Sequence, residues 1–128
     1  MKHFRFRSMP AADLPIRLAW SCNELEYVRL AAGHLSNSME DKWCSFLEPP
    51  WLYINRSWTG IRIYDVRIDR AIDGAAVEEA RVNADSTETQ GRLGIFVREP
   101  EYLVLILDWL AGRDPEAAWE RYQASRKQ

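Results

Sequence analysis

Residues 39–68 read MEDKWCSFLEPPWLYINRSWTGIRIYDVRI, and their alternation decides the fold. Residues 42–47 have the composition of a strand. Glu48-Pro49-Pro50 has to be a turn, because proline donates no ladder hydrogen bond. Residues 51–58 make a second strand. Leu52, Ile54, Arg56 and Trp58 share one face of it; Trp51, Tyr53, Asn55 and Ser57 share the other. Residues 61–69 make a third strand, rich in β-branched side chains. Its apolar positions are odd at Ile61 and Ile63, then even at Tyr64, Val66 and Ile68. That switch predicts a bulge near Tyr64, of the kind that re-aims side chains.

Outward from this core the pattern continues in both directions. Asp73-Gly74 is a hairpin-turn signal. Residues 75–84 mix helix-favouring Ala and Glu with Val77 and Val82; following a turn, they read as a fourth strand. Residues 85–92 are polar and aperiodic, a loop, and residues 93–97 are a short apolar run. Glu99-Pro100 opens a helix with proline at its first position. Residues 102–110 are apolar nearly all round, which predicts the most buried helix. Gly112 ends it. Asp114-Pro115 opens another, with Ala118, Trp119 and Tyr122 as its stripe.

Upstream, residues 3–8 alternate aromatic and basic side chains, as an edge strand does. Residues 9–15 carry two prolines and read as a connection. Ser21-Cys22-Asn23-Glu24 has capping-box spacing. Leu25, Val28, Ala32 and Leu35 follow at helical spacing as one apolar face, ending at residues 36–38. His34 stands near the helix C-terminus, where a positive imidazole is favoured. The expected architecture is α+β: a four- or five-stranded antiparallel meander with about three helices packed on one face, in a single domain over residues 1–128.

Composition narrows the function. The chain has 128 residues and a formal net charge of −2, which speaks against a partner that is a nucleic-acid polymer. Cys22 and Cys44 are far apart and lack metal-ligand spacing, so no metal site is expected; they read as thiols of a reducing compartment. No apolar run reaches the length of a membrane span, and the N-terminus lacks the apolar region of a signal peptide. A cytoplasmic protein without a cofactor is the expectation.

The pentapeptide Arg56-Ser57-Trp58-Thr59-Gly60 gathers donors closely. Arginine offers a planar fork to phosphate or carboxylate, the hydroxyls of Ser57 and Thr59 add donors, and glycine admits close approach. Trp43, Tyr53 and Trp58 are candidate stacking surfaces, and Asn83 joins if the strands pair in sequence order. These residues predict a site for a small anionic, nucleotide-like molecule of the ADP-ribose type. Alternation opposes part of this, since Arg56 and Trp58 share a face that Tyr53 and Ser57 do not. The structural alternative makes Trp58 core and pairs Arg56 with Glu40, Asp41 or Asp65.

No histidine lies in the segment, and no phosphate loop or nucleophile elbow occurs. No catalytic residue is assigned, and a small hydrolase is the less favoured reading. The competing class is a protein-interaction module, such as an immunity protein, antitoxin, inhibitor or assembly subunit, or a homodimer. A ligand site predicts Arg56, Thr59 and aromatics converging on a concave pocket. An interaction module predicts an exposed apolar patch.

The segment resembles bacterial proteins of unassigned function that share MEDKW, a Leu-Tyr pair, RSWTG, I-Y-x-V and V-N-x-D. The matching residues are 39–43, Leu52-Tyr53, 56–60, 63–66 and 82–85. The resemblance implies kinship and brings no activity with it.

Overall fold

The computed structural model describes residues 9, 13–35, 42–57, 59–84 and 99–126. In chain order these form β1 (Asp13–Ile16), β2 (Ser21–Asn23), α1 (Glu24–Ala32), β3 (Trp43–Glu48), β4 (Trp51–Arg56), β5 (Arg62–Ala71), β6 (Gly74–Asn83), α2 (Glu99–Leu110) and α3 (Pro115–Arg126). The fold is α+β. Strands β3 to β6 are the expected antiparallel meander. The sheet runs β1-β6-β5-β4-β3, and β2 pairs with β6 as well. It therefore holds six strands among the described residues, more than the sequence pattern indicates. The additions lie along one edge: β1 covers residues 80–83 of β6 and β2 covers residues 74–76. Pro15 stands within β1, where an edge strand tolerates it.

Turn chemistry sets the register. Ile54 pairs with Tyr64 but Asn55 pairs with Arg62, so Ile63 is skipped. This is the bulge expected near Tyr64. Between β5 and β6, Ala71 pairs with Gly74 across a two-residue turn. Gly74 has φ 153°, and a Cβ there would lie 1.9 Å from the Cys22 carbonyl oxygen. Only glycine lets β2 lie this close to the start of β6.

One face of the sheet carries the core. Leu52, Ile54, Tyr64, Val66, Ile68 and Val82 pack with Tyr27 and Leu30 of α1 and with Leu103, Ile106 and Leu107 of α2. Full burial of a leucine such as Leu30 contributes roughly 1.5–3 kcal/mol toward holding α1 on the sheet. α3 packs on α2, with the Tyr102 and Tyr122 rings 5.8 Å apart. Cys22 and Cys44 form no disulfide.

α1 departs most from its sequence reading. Its N-cap is Asn23, not Ser21: the Asn23 side chain accepts from the Glu26 amide, and the Glu26 carboxylate accepts from the Asn23 amide. Ser21 is taken by β2, opposite Ala76. Tyr27 and Leu30 face the core, while Leu25 and Val28 stand 63% and 52% exposed. The stripe of Leu25, Val28, Ala32 and Leu35 thus points away from the sheet. The helix stops at Ala32 with Gly33 as cap (φ 78°), before residues 36–38. The backbone of His34 exchanges hydrogen bonds with Ser45 of β3. Trp119, expected in the α3 stripe, is exposed. The expectations for residues 3–8, 85–92 and 93–97 fall outside the described residues.

Candidate functional site

The pentapeptide closes the β4–β5 hairpin, and its polar groups serve that turn. The Arg56 amide donates to the Ile61 carbonyl and the Gly60 amide to the Arg56 carbonyl, each at 2.9 Å. The Ser57 amide donates to the Lys42 carbonyl at 2.9 Å. Thr59 Oγ1 accepts from the Ile61 amide at 3.2 Å, and Asn55 Nδ2 donates to the Gly60 carbonyl at 2.8 Å. Gly60, at φ 74°, takes the left-handed position that a tight loop needs. Trp58 lies outside the described residues.

The candidate ligand residues divide between the two faces. Arg56 is opposite Trp43 in the β3–β4 register, and its guanidinium lies 5.1 Å from the Trp43 ring centroid. Trp43 itself is buried, tilted against Tyr64 and Tyr102 with both centroids at 6.2 Å. Among the described residues no carboxylate pairs with Arg56. Asp65 pairs elsewhere, and Glu40 and Asp41 are outside the described residues.

Tyr53 and Asn83 are on the opposite face, around a different arginine. Arg62 is only 7% exposed. Its Nε donates to Asn55 Oδ1 at 2.9 Å and its Nη1 to Asp65 Oδ1 at 2.6 Å. Its guanidinium lies 4.0 Å from the Tyr53 ring centroid and 5.8 Å from that of Phe46. Asn83 Nδ2 donates to the Arg62 carbonyl at 2.8 Å. Burial pushes the Tyr53 phenol up; Glu48 and Asp65 add to this, and Arg62 opposes it. Tyr53 and Asn83 thus gather not around Arg56 but around Arg62, which the sequence reading did not single out. Its charge is already matched by Asp65, so the cluster reads as an internal polar layer of the sheet. Arg62 was hidden because it sits beside the bulge, where strict alternation cannot place it.

Two further features were not evident in the sequence. Asp108, within the apolar run of α2, is 1% exposed. It accepts from Trp20 Nε1 at 2.9 Å, from Arg113 Nη1 at 2.6 Å and from Arg121. The second is the outer side of α1. Leu25 and Val28 are exposed on it; beyond the helix, Leu35 is exposed too, and Trp109 lies edge-on to His34 with centroids 4.7 Å apart. Leu35 and Trp109 are each 38% exposed. Neighbouring charges are spent internally: Glu24 on Arg70 and Glu26 on Arg113. Arg29 Nη1 donates to the Gly112 carbonyl. Arg113 hydrogen bonding is the main reason that the Glu26 carboxyl is held below its usual range; the Asn23 amide and the charge of Arg29 add to it, and burial opposes it.

No family model, curated protein or solved structure matches this chain. No helix among the described residues is long and apolar enough to cross a membrane.

Proposed function

We propose that this domain is a protein-interaction module that docks through the outer side of α1, and that it docks on a second copy of itself. The outward turn of the Leu25–Val28–Leu35 stripe carries this reading. Leucine and valine side chains left in water forgo roughly 1.5–3 kcal/mol each that burial would return. A two-fold contact sets this stripe against its own copy. Because Glu24 and Glu26 already have internal partners, the copies meet with little like-charge repulsion. Static light scattering tests this. The wild type, 14.9 kDa as a monomer, is expected to approach twice that mass with rising concentration. A Leu25→Glu/Val28→Glu variant should stay monomeric with its melting transition retained. A wild type that stays monomeric at every concentration would overturn the reading.

A second reading keeps the small-molecule role at the hairpin end. The Arg56 guanidinium, resting on Trp43 without a described carboxylate partner, supports an anion contact there, with Ser57 and Thr59 close in sequence. Tyr53 and Asn83 have no part in it. ADP-ribose and nucleotides should then raise the melting temperature of the wild type but not of Arg56→Ala, since a ligand stabilises only the state it binds. No shift with any of them would leave the docking role alone.

A further inference from the structure

The β5–β6 hairpin ends on a two-residue turn, Ile72-Asp73. Turns of this length are mostly built from asparagine, aspartate and glycine. Asp73 fits that chemistry and Ile72 does not. The Ile72 side chain is 100% exposed, so folding gains no burial from it. A lone exposed apolar side chain is ordinary on a protein surface, but Ile72 is not alone. Its turn lies beside the first turn of α1. Gly74 pairs with Asn23, the N-cap. Arg70 Nη2 donates to Glu24 Oε1 at 2.6 Å, and the guanidinium lies 4.2 Å from the Tyr27 ring centroid. Leu25 and Val28, three apart and so on one side of the helix, follow at once, both more than half exposed.

The charges at this place complement a copy of themselves. Arg70 and Glu24 are an ion pair in which both side chains stay about half exposed, at 51% and 54%. The guanidinium fork and the carboxylate each have hydrogen-bonding capacity beyond one shared bond. A two-fold contact sets one group on a second and that second on the first. Centred here, it brings Glu24 of each copy to Arg70 of the other, closing a square of two carboxylates and two guanidiniums. A partner of one charge sign would attract one member of the pair and repel the other. An identical copy, rotated by half a turn, meets opposite charge at both.

We propose that the β5–β6 turn is the second half of the α1 docking surface and that the Glu24–Arg70 pair sets the register of the homodimer. Ile72, Leu25 and Val28 supply the burial, and Glu24 and Arg70 also pair across the two-fold axis. This rests on the self-docking proposed above and adds where its axis passes.

Sedimentation equilibrium of charge variants tests it. Glu24→Arg leaves only positive groups at the axis, and Arg70→Glu leaves only negative ones. Each variant alone should dimerise at least about tenfold more weakly than wild type, since like charges set face to face across an interface are costly. An equimolar mixture of the two should recover dimers about as tight as those of the wild type, because each copy carries the charge that the other lacks. Ile72→Asp should weaken the dimer by about tenfold or more and keep its melting transition, since the turn accepts aspartate. Leu14→Asp, at an exposed apolar position on β1, should leave the dimer unchanged. Dimers that Ile72→Asp or either charge variant leaves intact, or a mixture as weak as its components, would overturn the proposal while the self-docking of α1 stands. A wild type that is monomeric at every concentration would overturn both.

Discussion

Two arginines six positions apart show how much a residue's place decides. Arg56 lies on Trp43 without a described ion pair, and a cation–π contact at a partly exposed site is worth roughly 0.5–1 kcal/mol. Arg62 is buried between Asn55, Asp65 and two rings. Its removal takes a donor from the partly buried Asp65 carboxylate and another from the buried Asn55 amide. Arg62→Ala is expected to cost about 3 kcal/mol, the lower end for a broken buried pair because Asp65 retains some contact with water. Arg56→Ala should cost about 1 kcal/mol or less. Urea midpoints of the two variants check this, and equal losses would show that the two sites are not so different.

Glu26 is a second case at this scale. Its folded carboxyl is held low, chiefly by Arg113. A depressed carboxyl contributes stability above its unfolded value, about 4.3, and loses it as pH falls through the folded value. Glu26→Gln should therefore cost about 2 kcal/mol at neutral pH, the worth of hydrogen bonds to a charged group. The gap to wild type should close as the solution is made acid. A gap that persists below the folded value would show that packing, not charge, accounts for the loss.

At the scale of elements, the meander was legible because β3 to β6 alternate around strong turn signals, and the bulge because the alternation changes phase. β1 and β2 were not legible. Four-residue and three-residue strands on an edge carry too little periodicity, and Pro15 argues against a strand to any local reading. The inversion of α1 has a similar origin. Periodicity finds an apolar face but cannot say which side a sheet will cover. Here Tyr27 and Leu30 form a narrower inner face, and the more regular stripe is left outside. Arg62 escaped because the bulge breaks alternation at its neighbour. Asp108 escaped because one carboxylate in an apolar run gives no sign of partners at Trp20, Arg113 and Arg121. Gly74→Ala tests the edge directly. The added Cβ would strike the Cys22 carbonyl at a positive φ, and strain of this kind is of order 1–3 kcal/mol before the clash is counted. The substitution should lower the melting temperature and loosen β2, seen as faster amide exchange at residues 21–23. Exchange unchanged from wild type would mean that β2 does not depend on this close approach.

For the molecule as a whole, the distinctive hairpin and the exposed surface have separate duties. The pentapeptide turns β4 into β5 and fixes the bulge. The buried Asp108 ties α2 to the connector and to α3. The outer side of α1 keeps Leu25 and Val28 exposed, uncovered by any of the described residues. Amide hydrogen exchange, measured at a dilute and at a high protein concentration, tests that division most directly. Docking through α1 predicts added protection at high concentration for residues 24–35 and around Trp109, with residues 56–61 unchanged. Added protection confined to residues 56–61, or none anywhere, would contradict it.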